Sequence, residues 1–359
     1  MNFPITRVEV TDVFAGAGTL TRALIDGLRR HLLAEAVGCV EVEGGYLARW
    51  SAAHASASTF LGSVTKYHPA ELAIPSTPGV IRIAAMGVPC TGTSKAGRSK
   101  NHLAAPEEHR KVGHLFLPAA HFIRQHRPDL VVFENVSEYA ATLSARCLRA
   151  ALAASGYSMT ERVVNSYTEF AVPTERRRWV AVASRVGAFN WVFEPKSFTG
   201  TLGAYLDPEG AQDAEDVATP VQQAADAKFL NRKAAEGCGF RMRLVDRAST
   251  KLPTICRSYG KRQPSATFVK VGDSYRMIRP DEVRRLHGFP DDFPLPAAAT
   301  LAYEIFGQGV TYAPFYALGE ALGQWLGSPP VAGAAPAPSH VAPFVAASSE
   351  QLELFCVAS

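Results

Sequence analysis

The sequence predicts an α/β protein: a mostly parallel sheet covered by helices, with a smaller irregular unit inserted before the chain returns to its main body. Three observations predict it. Short apolar runs alternate with helical patterns through the first half, and a Gly-rich turn follows the first of those runs. Periodicity then gives way after residue 185 to Gly, Pro and polar residues, and resumes near residue 279. A length of 359 residues suits about two domains. A composition 47% hydrophobic and 19% charged is enough to build a buried core.

Taken in order, residues 8–14 read as a strand, followed by the Gly-rich turn and a helix over 20–34. Further strands are expected at 38–43, 80–86, 130–134 and 178–183, with helices at 113–126 and 144–155. An open sheet of this kind places ligands at the carboxyl ends of its strands, so the residues just after each strand are the ones to inspect. Pro280 can open a helix through residue 286, and a last helix is expected over 314–326. Residues 328–349 are dominated by Ala, Pro, Ser and Val and read as a linker, followed by a short tail, 350–359. No internal repeat of useful length is present.

Several function classes are excluded at this level. No apolar run reaches the roughly 18 to 20 residues that span a bilayer, mean hydropathy is close to zero, and the opening MNFPITRVEV lacks the apolar stretch of a signal peptide. The six cysteines, Cys39, Cys90, Cys147, Cys238, Cys256 and Cys356, form no CxxC pair, which argues against a disulfide framework and a zinc ribbon. A reduced, cytoplasmic, metal-free protein is expected. The net charge of +4 is modest, but its distribution is uneven: residues 204–226 hold six acids and no base, whereas 228–270 hold eleven Lys/Arg against Glu236 and Asp246. The basic stretch suits either a polyanion-binding surface or a solvated face.

Five segments carry chemistry. Phe14-Ala15-Gly16-Ala17-Gly18 occupies a strand-to-helix turn, where glycines permit close backbone approach and a helix start offers N–H groups to an anion; by itself such a turn is also only a turn. The next strand ends at Glu43, either a ribose acceptor or an exposed acid. Pro89-Cys90 follows an apolar strand and precedes a basic polar loop, which favours a thiolate nucleophile, although a lone cysteine often serves as a small buried hydrophobe. Glu134-Asn135-Val136 ends another strand with an acid able to protonate or hydrogen-bond a substrate nitrogen. Pro173-Thr174-Glu175-Arg176-Arg177-Arg178 then adds a cationic cluster.

These pieces, followed in order by Gly113-His114-Leu115, the segment RPDEVRRLHGFPDDF from Arg279 to Phe293, and Gly307-Gln308-Gly309-Val310, resemble the DNA cytosine-5 methyltransferase family. The resemblance covers nearly the whole chain outside residues 186–250 and the tail. Several short motifs in one order are far more specific than any one of them.

The resemblance implies a Rossmann-like, S-adenosylmethionine-dependent fold and a division into a catalytic and cofactor domain (1–185), a target-recognition domain (186–275) and a return to the catalytic domain (276–327). It implies that Cys90 attacks carbon 6 of a cytosine flipped out of double-stranded DNA, that Glu134 contacts N3 and the exocyclic amine, and that Arg176 and Arg178 hold the base oxygen, a flanking phosphate and the Cys90 loop. Cofactor contacts fall on Phe14, Ala15, Gly16, Ala17, Gly18, Glu43, Gly44, Ser63, Val64, Pro89, Leu115, Gln308 and Gly309. DNA contacts fall on Ser94, Arg98, Lys100, Arg241, Arg243, Arg257, Tyr259 and Lys261. Four positions depart from the family pattern: Ser63 stands for an Asp, Gly44 for a bulky residue, Gln308 for an Asn and Thr174 for a Gln. These departures raise the question of a modified cofactor.

Beyond the linker, Gln351-Leu352-Glu353-Leu354-Phe355 resembles the bacterial sliding-clamp-binding peptide, with apolar anchors at Leu352, Leu354 and Phe355 beside Gln351. A tether of this kind would raise the local concentration of enzyme on DNA. The expected protein is a monomeric DNA cytosine-5 methyltransferase of the nucleoid. A transfer-RNA cytosine methyltransferase and a catalytically silent DNA-binding protein are the competing readings.

Overall fold

A computed structural model of the chain describes residues 5–67, 79–89, 105–110, 112–208, 210, 216–237 and 241–328. Cys90, Ser94, Arg98, Lys100 and the 351–355 motif lie outside the described residues. Among the described residues the main sheet has seven strands in the order β3-β2-β1-β4-β5-β7-β6. These are β1 (Arg7–Val13), β2 (Leu33–Glu41), β3 (Ser58–Leu61), β4 (Val80–Met86), β5 (Leu130–Val136), β6 (Ser158–Asn165) and β7 (Arg177–Ser184). Every neighbouring pair from β3 to β5 is parallel, whereas β7 runs antiparallel to both β5 and β6. The chain leaves β1 toward β2 and β3 and later returns to the other side of β1 as β4. A crevice therefore opens at the carboxyl ends of β1 and β4, where the strand order reverses.

Strands β1, β4, β5 and β7 are buried along most of their length because both faces of the sheet are covered. On one face Val8 and Val10 pack with Leu24 and Leu28 of α1 (Thr19–Leu28) and with Phe315, Leu318 and Leu322 of α9 (Tyr312–Gly327). On the other, Val13, Met86 and Phe133 pack with Phe122 of α3 (Phe116–His126) and Leu148 of α4 (Leu143–Ala154). Helices α1 and α9 meet backbone to backbone at two glycines. A Cβ on Gly319 would stand 2.2 Å from the Leu24 carbonyl oxygen, and one on Gly27 would stand 2.1 Å from that of Tyr316.

The expected helix over 20–34 is shorter than the sequence suggests. It stops at Leu28, and residues from Leu33 form β2, because pairing of Leu33 with Arg7 and Ala34 with Val8 overrides the helical preference of the Leu-Leu-Ala-Glu-Ala run. The turn after β2 leads into α2 (Gly44–Ala53), which periodicity did not suggest.

Residues expected to be irregular hold more order than their pattern implies. After the one-turn α5 (Ser166–Glu169), helix α6 (Pro220–Ala235) starts with Thr219 accepting from the Gln222 N–H and with Pro at its first position, yet Asp226 is its one buried residue, so no apolar stripe marks it. A second sheet joins β8 (Arg243–Val245), β9 (Thr267–Val271) and β10 (Ser274–Arg276) in the order β10-β9-β8, over a small core of Ala218, Phe268 and Tyr275. Phe189, Trp191, Leu202, Leu206, Leu252 and Ile255, from the same stretch of sequence, belong to the core of the main sheet.

The chain returns through α7 (Pro280–Leu286) and α8 (Ala299–Gln308), of which α7 matches the sequence reading. The fully buried Glu282 on α7 makes a two-bond ion pair with Arg276 of β10, both bonds 2.8 Å, and accepts the backbone N–H of Asp207 at 2.8 Å. Removing either partner would leave a buried charge uncompensated, so this pair fixes the small sheet against the returning helix. No helix among the described residues is long and apolar enough to cross a membrane.

One carboxylate is buried where β1 meets the helices. Asp12 accepts from the Thr21 hydroxyl of α1 and, at 3.0 Å, from the indole N–H of Trp50 on α2. Burial pushes its pKa from 3.8 up to about 7, the two hydrogen bonds work against that shift, and the nearby Glu41 carboxylate adds to it.

Two outcomes follow from this packing. Gly319→Ala should lower the unfolding free energy by about 1–3 kcal/mol, because its methyl forces α1 and α9 apart; an unchanged thermal midpoint would contradict that contact. For Asp12 the folded-state pKa is the raised one, so the stability it contributes is full below about 3.8 and is lost as pH rises toward 7. Wild type should therefore lose stability relative to Asp12→Asn between pH 4 and 7. A flat difference in denaturant midpoints across that range would show that the folded protein does not hold the proton.

Candidate active site

The crevice above the strand ends is a cavity of about 640 Å³, within the range of small-molecule sites. Its walls come from the ends of four parallel strands: Asp12, Phe14, Ala15, Gly16 and Ala17 after β1; Glu41, Val42 and Glu43 at β2; Gly87, Val88 and Pro89 after β4; and Glu134, Asn135 and Val136 at β5. Ser63, Val64, His114, Leu115, Arg178, Arg257, Gln308 and Gly309 complete much of the rest. The chain thus gathers into one enclosure residues as distant as 14 and 309.

The floor is set by strand register. In the antiparallel β5–β7 ladder Arg178 lies opposite Val136, two residues from Glu134 on the same face. The Arg178 Nε therefore reaches the Glu134 Oε1 at 2.6 Å, with both side chains largely buried. Burial raises the pKa of Glu134, and the Arg178 and Arg176 guanidiniums pull it back down. On the opposite face of β5, Asn135 donates to the Val88 carbonyl at 2.9 Å while its Oδ1 accepts the Val136 N–H at 2.9 Å. That bond clamps the chain two residues before Cys90, with Pro89 already in the cavity wall.

Arg176 has a different task. It is almost wholly buried and donates to the carbonyls of Ile255 at 3.3 Å, Gly307 at 3.0 Å and Gly309. It ties the arginine segment to both the inserted region and the returning helix, and it does not line the cavity. Thr174 is buried as well, with its hydroxyl donating to the Leu286 carbonyl at 2.7 Å. The buried His287 is held neutral, its pKa lowered to about 3 by burial and by Arg176 and Arg178.

The Gly-rich turn is secured from β2. Glu41, which the sequence reading passed over, accepts the Gly16 N–H at 2.7 Å on one oxygen and the Val42 and Glu43 N–H groups, each at 2.8 Å, on the other. Gly18 has φ +80°, and a Cβ there would stand 2.9 Å from the Trp50 ring, so only glycine serves. Gly18 and Gly44 shape this region without lining the cavity. Glu43 remains exposed at the cavity edge. Ser63 shares a 2.8 Å hydrogen bond with Thr65. Gln308 donates at 2.6 Å to the Tyr46 hydroxyl, which donates at 2.8 Å to Glu304. Tyr46 is a second wall residue that the motifs did not reveal.

The residues expected to touch DNA divide into groups. Arg241, Arg243 and Lys261 are exposed. Tyr259 is not: it is buried, its hydroxyl donating to the Thr267 carbonyl at 2.7 Å and accepting the Ile278 N–H at 2.8 Å, so its expected DNA contact is corrected to an internal brace. Arg257 lies in the cavity wall.

An adenosine-containing methyl donor fits this enclosure. Its volume is sufficient, an exposed carboxylate sits at the β2 edge, and Val64, Val88, Pro89 and Leu115 supply apolar walls for a base. The family model described as C-5 cytosine-specific DNA methylase matches residues 8–324. Type II methyltransferase M.NlaX of Neisseria lactamica is 26% identical over 321 residues, 87% of this chain and 95% of that protein. Type II methyltransferase M.DsaV of Dactylococcopsis salina is 27% identical over 231 residues, 62% of this chain but only 63% of that protein's length. In fold the chain is similar to the Dnmt2 methyltransferase of S. pombe, with TM-score 0.66 at 14% identity, covering 89% of this chain and 99% of that one. It is similar also to the methyltransferase EhMeth of Entamoeba histolytica, with TM-score 0.67 at 15% identity and the same coverage. With the match running through both the Gly-rich turn and the returning helices, the chain belongs to the family of C-5 cytosine-specific DNA methylases, whose methyl donor is S-adenosylmethionine.

Proposed function

We propose that this protein methylates carbon 5 of a cytosine flipped out of double-stranded DNA, through a transient bond between Cys90 and the base. The observation that carries the reading is the Glu134–Arg178 pair, held in the wall of the cavity that Pro89 also lines. S-adenosylmethionine supplies an electrophilic methyl group when bound. Glu43, the 14–18 turn, Ser63, Val64, Leu115, Gln308 and Gly309 are the residues offered to hold it.

The remaining chemistry belongs to the chain. Cytosine carbon 5 is a weak nucleophile, and addition of a thiolate at carbon 6 places an electron pair on carbon 5. Glu134, with its pKa raised by burial, donates a proton at N3 so that the ring accepts that addition without building negative charge. Arg178 keeps the Glu134 carboxyl oriented and, by resemblance, meets the base oxygen. After methyl transfer, loss of the proton from carbon 5 to solvent, expulsion of the Cys90 thiolate and return of the N3 proton to the Glu134 carboxylate restore the aromatic ring. A base inside a duplex must leave the stack to reach a catalytic cavity. Exposed Arg241, Arg243 and Lys261, together with Ser94, Arg98 and Lys100 outside the described residues, are the proposed DNA contacts.

The 328–349 linker and the motif of Gln351, Leu352, Leu354 and Phe355 support a second element of the proposal, a tether to a bacterial sliding clamp. The support is compositional: an Ala/Pro-rich run suits a tether, and apolar anchors beside a Gln suit capture of a short extended peptide in a groove.

An oligonucleotide carrying 5-fluorocytosine, offered with S-adenosylmethionine, should be trapped covalently on wild type and not on Cys90→Ala, because fluorine cannot leave carbon 5 as the proton does. Absence of trapping across mixed-sequence duplexes would overturn the mechanism, and methyl transfer to transfer RNA in place of duplex DNA would overturn the substrate. Glu134→Gln should slow turnover by about 10²- to 10⁴-fold, and a near-normal rate would remove its role as proton donor. Replacing Leu354 and Phe355 together by Ala should abolish clamp pull-down while methylation of free oligonucleotides is unchanged. Retained pull-down would remove the tether.

A further inference from the structure

The end of the sheet away from the crevice carries a concentration of charge of its own. Helix α3 starts beside Leu115 in the cavity wall and runs eleven residues, about 16 Å, to His126. Its last turn holds Arg124 and His126, and Arg127 follows. At the same end of the sheet, Arg82 stands near the start of β4 and Asp129 immediately precedes β5. Arg185 immediately follows the antiparallel β7, whose Ser184 lies opposite Leu130.

Asp129 gathers this group. Its carboxylate accepts the Arg82 backbone N–H at 2.9 Å and the Arg185 guanidinium at 3.0 Å. The Arg82 guanidinium closes the end of α3, donating to the carbonyls of His126 at 3.3 Å and Arg127 at 3.1 Å. Arg82, Arg127, Arg185 and Asp129 all act electrostatically on the Tyr157 hydroxyl, so they surround one point. With Arg124, four arginines face one carboxylate.

Holding the strand ends together does not require this much charge. Arg124 and Arg127 are exposed, and neither side chain makes a hydrogen bond or ion pair among the described residues. Arg127 also has φ +45°, the left-handed conformation in which a helix usually ends on glycine. An arginine there keeps a cation at the surface at the cost of backbone strain.

The crevice and this face lie at opposite ends of the parallel strands, separated by the seven residues of β4, about 23 Å. A straight duplex lying across the crevice therefore does not reach Arg124 or Arg127. We propose that this face binds a second segment of duplex DNA through its phosphates while the crevice holds the first, with Arg124 and Arg127 as the contacts. The inference goes beyond the methyl-transfer reading, because it assigns a surface that the reaction does not use. Double-stranded DNA is the polyanion favoured here because the chain belongs to a DNA methylase family, so further lengths of the same substrate are present whenever the crevice is filled.

Sedimentation of the full chain with a duplex of about 14 base pairs, far shorter than the length over which DNA bends, counts the sites. Wild type should bind two duplexes per chain at low salt. Arg124→Gln/Arg127→Gln should bind the second about 10-fold more weakly, with the slope of log K against log salt for that event lowered by roughly 1.8, as two lost phosphate contacts require. The first binding event, and methyl transfer to the same duplex, should be unchanged. One duplex per wild-type chain, a second duplex bound equally by wild type and variant, equal weakening of both events, or capture of an RNA hairpin in preference to the second duplex would each overturn it. The count does not depend on methyl transfer, so failure of that reading shows separately, as absence of Cys90 trapping with two duplexes still bound.

Discussion

The site depends on one reversed strand. Parallel strands deliver their carboxyl ends to the crevice, and a parallel neighbour of β5 would have presented its first residues at the far edge of the sheet. Because β7 runs the other way, Arg178 arrives near its start, beside the end of β5, and the two-residue face periodicity aims it at Glu134. Slipping this ladder by one residue would turn the arginine to the opposite face. The flanking strand β6 pairs with β7 along its full length, from Ser158 opposite Ser184 to Asn165 opposite Arg177, which protects that register from outside.

The same ladder explains why two arginines two residues apart do different work. Arg178 is within the strand and faces the cavity, whereas Arg176 precedes it and is turned into the core, where its donors meet carbonyls of residues 255, 307 and 309. Those carbonyls belong to the inserted region and to the end of the helix that carries Gln308. A single buried guanidinium thus couples three segments that approach the cavity from different sides. Burying such a charge is costly unless its donors are satisfied, which gives the junction a strong preference for one geometry.

Much of this was legible in the sequence because it is local. The strand ends carrying Phe14, Glu43, Pro89 and Glu134 were marked by apolar runs followed by turns, and all four residues line one cavity. The opening of α7 was marked by Pro280 and Glu282, whose carboxylate caps the Arg279 N–H at 2.8 Å. Other features depended on distant partners. Residues 33–36 are strand because β1 lies beside them, and Tyr259 is internal because residues 267 and 278 close over its hydroxyl. Helix α6 carried good start signals but almost no buried face, so periodicity had nothing to detect. Glu41 was invisible for a related reason: an acid at the end of an apolar strand reads as exposed until the N–H groups it serves are folded around it.

The departures from the family pattern can be read in the same physical terms. Thr174 is short enough to be buried and to donate to the Leu286 carbonyl, so its position anchors the arginine segment to α7. Gln308, longer by one methylene than the usual Asn, spans to the Tyr46 hydroxyl and through it to Glu304, joining α8 to α2 across the cavity wall. Gly309 leaves no side chain next to it, and a Cβ there would stand 2.5 Å from the Thr19 hydroxyl at the start of α1. A close approach of α8 to α1 therefore leaves room at residue 309 for glycine alone. At this end of the cavity the wall is completed by Tyr46 from α2, Gln308 from α8 and Arg257 from the 3₁₀ turn, over a backbone frame set by the glycine contact.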